Sequence, residues 1–164
     1  MKKIISLFFA SVMLFSINAC TGYKPIFDSS NLNFQIQEYE IVGNRSLGKI
    51  IYTKLFNASQ TEKNEANTRS VDVKIDVSKS KNPVLKDSAG KILEYQITLD
   101  TKVKINDYLT GNQILNQSFA NSTTYRAKDK YSETIKLENQ SLENLLNKTF
   151  EELLIQLTQN ISLQ

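Results

Sequence analysis

The strongest constraint in this sequence is a change of apolar period. From Val71 to Ser78 the chain alternates without a fault, with Val71, Val73, Ile75 and Val77 on one side and Asp72, Lys74, Asp76 and Ser78 on the other. An extended strand with one dry and one wet face satisfies that spacing. A longer run repeats it: Leu93, Tyr95, Ile97, Leu99, Thr101, Val103 and Ile105 share one face, and Glu94, Gln96, Thr98, Asp100, Lys102 and Lys104 the other. From Ser132 the period becomes 3.6. Ile135, Leu142, Leu145, Leu146, Thr149, Leu153, Leu157 and Ile161 form one stripe, with no proline or glycine to interrupt it. This predicts a helix over 133–161, about 40 Å long at ~1.5 Å per residue. Ser132 is its candidate cap, or Ser141 if the helix breaks near Asn139.

The rest of the chain supplies three further elements. Leu32, Phe34 and Ile36 alternate with polar residues, and Tyr39 and Ile41 take over the apolar side after a shift near Glu38. That reads as a bulged strand over 32–42. Asn44 follows Gly43 as a helix N-cap, and Leu47, Ile50, Ile51, Leu55 and Ala58 then recur at helical spacing. The expected helix spans 45–58 and buries that face, leaving Lys49 and Lys54 on wetter sides; Gly48 weakens it by about 1 kcal/mol. Gln60–Thr68 is a polar connection, Lys79–Gly90 a turn-rich excursion and Asn106–Asn112 a hairpin loop. A strand over 113–125 carries Leu115, Phe119 and Tyr125 inward, and its polar exceptions Gln117, Asn121 and Thr123 suit an edge.

The order β-α-β-β-β-α predicts an α+β fold: a two-layer domain in which two helices cover one face of a four-stranded, mostly antiparallel sheet. The other face is expected to be polar.

Absent residue types exclude much chemistry. The chain has no histidine and one cysteine, which removes histidine-based zinc sites, Ser-His-Asp triads and Cys-His nucleophiles. Its five glycines are Gly22, Gly43, Gly48, Gly90 and Gly111, too scattered for a phosphate loop. Asp72 and Asp76 share a strand face, but at about 13 Å apart along it they are too distant for a paired-carboxylate mechanism. The expectation is a non-catalytic protein with no cofactor and no metal. Without Lys2 and Lys3, residues 20–164 carry 18 basic and 17 acidic side chains, so composition gives no reason to expect a nucleic-acid partner.

The N-terminus points to a compartment. Lys2 and Lys3 precede the uncharged stretch Ile4–Ile17, which is short for a transmembrane helix and the right size for a secretory core. It ends Ile17-Asn18-Ala19-Cys20, which resembles a bacterial lipobox with the chain's only cysteine at the acceptor position. The expected organisation is a lipoprotein signal peptide over 1–19, a lipidated tether over 20–31 anchored at Cys20, and a folded domain over 32–164. Several acyl chains, at ~0.8 kcal/mol per buried CH₂, give a stable hold on a lipid bilayer. An uncleaved anchor with an incidental cysteine is the alternative. Thr21, where retained lipoproteins of familiar Gram-negative bacteria carry aspartate, directs the expectation to the periplasmic side of the outer membrane.

Lysines gather around the middle strands. By strand parity Lys74, Lys102 and Lys104 face the wet side of the sheet, while Lys79, Lys81, Lys86 and Lys91 surround the connection beside them. Two readings stand: a solubilising surface, diluted by Asp72, Asp76, Asp87 and Asp100, or contacts to phosphates of an anionic glycolipid.

The opening Cys20-Thr21-Gly22-Tyr23-Lys24-Pro25-Ile26-Phe27 resembles the C-G-[YF]-x-P-[LI]-[YF] start of the LPS-assembly lipoprotein LptE family, alphaproteobacterial type, with Thr21 inserted. The N-R-x-x-G-x-x-[IL]-x-x-x-L helix at Asn44–Leu55, the strands Tyr95–Thr101 and Ser118–Tyr125, Tyr131 and the long last helix also fit. The resemblance implies an outer-membrane lipoprotein that plugs and helps assemble a large β-barrel, LptD, with which it delivers lipopolysaccharide to the cell surface. It also implies a sheet with two helices. A lipid carrier without a barrel partner is the alternative and would require an apolar cavity between helices and sheet.

Overall fold

Alternation that dries one face of each strand forces the sheet to be covered on that side alone, and the structure follows. A computed structural model describes residues 34–59 and 68–162, with no side-chain description for 161 and 162. Its elements are β1 (Phe34–Gly43), α1 (Arg45–Ser59), β2 (Arg69–Lys86), β3 (Ile92–Asp107), β4 (Gln113–Arg126) and α2 (Tyr131–Ser162). The strands lie in the order β1-β2-β3-β4. β1 runs parallel to β2, while β2, β3 and β4 form an antiparallel meander. Both helices pack on one face, α1 over β1 and β2 and α2 over β4 and β3. The expected two-layer α+β fold is present. The signal peptide, Cys20, the tether, Leu32 and the connection 60–67 lie outside the described residues.

The core falls largely on the predicted positions, with Ile114 added and Leu93 left 38% exposed. Val71, Val73, Ile75 and Val77 of β2 and Ile97, Leu99, Val103 and Ile105 of β3 are buried against Ile51 and Leu55 of α1 and Leu145, Leu146, Leu153 and Leu157 of α2. The β1 bulge falls between Ile36 and Glu38 and keeps Tyr39 and Ile41 on the register of Val73 and Ile75. Asn44 caps α1, its Oδ1 accepting from the Leu47 amide at 3.2 Å. Gly43 makes the corner at φ +73°, where an added Cβ would strike the Val77 carbonyl oxygen. Gly48 sits where α1 crosses β1, against the Ile41 side chain; the helix gives up propensity there for close approach.

Four expectations are corrected. Lys79–Gly90 is not an excursion: β2 continues to Lys86 in register with β3, with irregularities after Pro83, and the turn shrinks to 87–91. The alternation fades in sequence because lysines take the core-side positions 79 and 81, beside buried Leu99 and Ile97 of β3, and every residue of 79–86 is exposed. Ile50 is 40% exposed, since α1 covers the sheet margin and buries a narrower stripe than its sequence offers. The last helix is unbroken from Tyr131 and spans about 48 Å. Ser132 and Ser141 therefore lie inside it, and the Lys130 carbonyl accepts the first helical amides.

Two substitutions test this packing. Gly43→Ala is expected to lower unfolding free energy by about 2 kcal/mol, combining left-handed strain with the Val77 clash. Thr101 is 2% exposed, and its hydroxyl has no hydrogen-bond partner among the described residues. Thr101→Val is expected to raise stability by about 1 kcal/mol in urea titrations.

Candidate functional site

The uncovered sheet face is built from the polar half of each alternation. Strand registry aligns Glu40, Lys74, Lys104 and Asn116 across all the strands, and Asp76, Lys102 and Ser118 in the adjacent row. Lys74 and Lys104 thus stand directly opposite each other, with Lys102 one step along the same strand face. All three are exposed, as parity predicts. Lys74 Nζ pairs with Glu40 at 2.8 Å. Lys102 and Lys104 make no ion pair among the described residues. The lysines therefore form one positive spot, bordered by Glu40, Asp76 and Asp100 and beside a shallow depression of about 210 Å³ near Lys102, Ser78 and Ser118. An exposed ammonium row of this kind can meet a phosphate as point charges.

A second cluster, absent from the sequence reading, lies on the helix side. β2 carries its core register past Val77 into Lys79 and Lys81, which lie opposite Leu99 and Ile97. Glu138 of α2 receives both: Lys79 Nζ is 3.0 Å from Oε1 and Lys81 Nζ 2.6 Å from Oε2. The Tyr125 hydroxyl donates to the same Oε2 at 3.1 Å. Lys81 also lies 4.3 Å from the centre of the Tyr95 ring, which stacks on Tyr125. Burial alone would push the Glu138 carboxyl up; hydrogen bonds from Lys81, Lys79 and Tyr125 more than offset this and hold it at about 2. Burial would lower Lys81, but Glu138 and Tyr125 raise it. These groups clamp the outer half of β2 to α2. The sequence signal is complementary: lysines at apolar positions of a strand, and a glutamate on the stripe between Ile135 and Leu142.

The two ends of the sheet differ. At one, Lys86, Asp87, Lys91, Arg126, Lys128 and Asp129 crowd the β2–β3 turn and the entry to α2, with Lys91 and Asp129 paired at 2.9 Å. At the other, Arg69 Nε meets Asp107 Oδ2 at 2.7 Å. That hydrogen bond first, and the Thr110 amide second, bring the Asp107 carboxyl down to about 2.

The space between the layers is filled by the core side chains. A shallow depression of about 330 Å³ runs between the helices, lined partly by Ile50, Lys54, Leu142 and Glu143. No described helix is long and apolar enough to cross a membrane.

No family model matches the chain, and no curated protein matches it. Solved structures do share its fold. Lipoprotein B of Nitrosomonas europaea is 12% identical with a TM-score of 0.61, covering 86% of this chain and 93% of its own. The minor lipoprotein of Acinetobacter baumannii is 12% identical with a TM-score of 0.56, covering 79% and 92%. A Caulobacter crescentus protein described as a lipoprotein is 14% identical with a TM-score of 0.56, covering 82% and 94%. At such identities the likeness establishes the fold: β-α-β-β-β-α with both helices on one side.

The Glu138 clamp has a pH signature. A carboxyl lowered from 4.5 to about 2 stabilises the fold fully above pH 4.5 and loses that contribution as pH falls toward 2. The loss is on the order of 2 kcal/mol after discounting the partly exposed lysines. Glu138→Gln is expected to be less stable than the parent at pH 6 and to lose less between pH 5 and pH 2.5. Urea midpoints across that range measure the difference.

Proposed function

We propose that this chain is a lipid-anchored outer-membrane protein, tethered at Cys20 and facing the periplasm. We propose further that its domain acts without catalysis as the plug and assembly partner of a large LptD-like β-barrel that inserts lipopolysaccharide at the cell surface. The observation that carries this reading is a solid body with a polar open sheet face. The interlayer space that a lipid carrier would leave open is occupied by Ile51, Leu55, Ile75, Ile97, Leu99 and Leu153, each fully buried. Meanwhile the uncovered sheet face is mainly charged, hydroxylated or amide-bearing, as in the rows from Glu40 to Asn116 and from Asp76 to Ser118, which suits the polar lumen of an outer-membrane barrel. The shared fold of bacterial lipoproteins and the lipobox-like Ile17–Cys20 support the same compartment.

Lys102 and Lys104 are the leading phosphate contacts in this reading, with Lys74 third because Glu40 already occupies it. Replacing each of the first two by alanine is expected to weaken lipopolysaccharide binding about two- to fivefold, and Lys74→Ala by less. Binding should fall with added salt in the parent and less steeply in the double variant.

Cross-linked purification from solubilised outer membranes tests the barrel partner. Near-stoichiometric recovery of one large β-barrel protein with the parent chain is expected. Its persistence with Cys20→Ala would assign recognition to the folded domain. Recovery of lipid or soluble periplasmic proteins alone would sink the plug reading and favour the carrier.

A further inference from the structure

The β3–β4 hairpin exposes two apolar residues at its tip. Leu109 is 84% exposed and Tyr108 45%. The turn nevertheless leaves no amide unused. Asp107 N donates to the Asn112 carbonyl, Tyr108 N to the Ser70 carbonyl and Gly111 N to the Asp107 carbonyl. Leu109 N and Thr110 N donate to Asp107 Oδ1, and Asn112 N to Thr110 Oγ1. Asp107 itself is neutralised by Arg69, and Tyr108–Asn112 carries no charge. A turn with an apolar tip and every N–H from 107 to 112 satisfied internally has only carbonyls left to hydrate, which suits the wet headgroup boundary of a bilayer.

The opposite hairpin serves as an internal comparison. Asp87 organises it in the same way, its Oδ1 accepting from Ala89 N and Lys91 N, yet its tip is Ser88-Ala89-Gly90. Turn construction therefore does not demand the Tyr-Leu pair. The apolar residues exposed at that end, Val84, Leu85, Leu93 and Tyr131, lie along the strands and at the start of α2 among charges.

Position supplies the partner. β1 begins at Phe34 beside Arg69, and Val71 lies opposite Asp107, so the domain's first strand starts at the end that carries the tip. Cys20 precedes Phe34 by 14 residues, a reach of at most about 50 Å. We propose that Tyr108 and Leu109 form a foot that inserts into the phospholipid interface beside the anchor, with Leu109 among acyl chains and the Tyr108 hydroxyl at the headgroups. This inference rests on the lipid anchoring at Cys20 proposed above. It sets the Asp107 turn at the anchored leaflet, with the charged β2–β3 turn at the opposite end of the sheet.

The chain has no tryptophan, so Leu109→Trp installs a sole reporter and Ser88→Trp its counterpart at the far turn. The full-length lipidated variants would be reconstituted in phosphatidylethanolamine–phosphatidylglycerol vesicles. Flotation first reports anchoring. Among floating protein, the Leu109→Trp indole is expected to be blue-shifted, quenched by lipids spin-labelled near the headgroup, and several-fold less accessible to iodide than the Ser88→Trp indole. Equal iodide access in both would overturn the foot while leaving the anchor intact. A blue-shifted emission that lipid quenchers do not reach would assign the tip to a protein interface and equally overturn it. Protein that fails to float would remove the anchor, and the foot with it.

Discussion

A four-stranded sheet that is dry on one face and wet on the other governs everything else in this domain. Each strand repeats every second residue, so the valines and isoleucines of β2 and β3 can be buried only if something apolar lies over all of them at once. α1 and α2 supply that cover. α1 also serves as the crossover that returns the chain parallel to β1, entered through the Gly43 corner and the Asn44 cap. Because the helices take one side, the other must remain in contact with water or a polar partner. The rows running from Glu40 through Lys104 and from Asp76 through Ser118 are therefore as much a product of the core as Ile75 is.

The sheet outgrows its cover, and chemistry changes at that boundary. Past Val77 the core-facing register of β2 holds Lys79 and Lys81, and α2 answers with Glu138 in place of a leucine. An ion cluster at a half-buried margin costs desolvation that an apolar contact would avoid, so it adds little net stability compared with hydrophobic packing. Its value is directional. Two ammonium groups, one carboxylate and a tyrosine hydroxyl satisfy one another in a single arrangement, which fixes the register between α2 and the outer half of β2. An apolar patch at the same place would slide more readily and would expose grease where the layers part.

Most of the architecture was legible from periodicity, since burial on one face leaves a repeating trace. Val71–Ser78, Tyr95–Ile105 and the stripe through Leu157 appear where their spacing places them, and the outward direction of Lys74, Lys102 and Lys104 follows from parity alone. What periodicity misses is pairing between distant charges. Lys79 and Lys81 look like loop residues until Glu138, far along the chain, is seen to meet them. Ile50 misleads for a different reason: a helix at a sheet margin buries fewer of its apolar residues than one over the centre. Gly48 looks like a flaw in a helix, and only the crossing of Ile41 explains it. What a lysine row binds is a property of the partner, so strand parity can direct those side chains without naming their ligand.

The asymmetry between the sheet's ends gives the fold a direction that the layers alone lack. Antiparallel hairpins place the Asp87 turn at one end and the Asp107 turn at the other, built with the same carboxylate-to-amide device. Charge gathers around the first, whereas Tyr108–Asn112 of the second carries none and Asp107 beside it is paired with Arg69. β1 enters at the Asp107 end because it is parallel to β2 and must start where β2 starts. That topology puts the Asp107 turn at the end where the domain's first described strand begins and leaves the Asp87 turn at the far end. A meander preceded by a parallel strand thus produces a body whose two ends differ, one with the Tyr108–Leu109 tip and one with clustered charge, from one choice of strand order. Reversing β1 would keep the core pairings of β2, β3 and β4 but move the chain's entry to the basic turn.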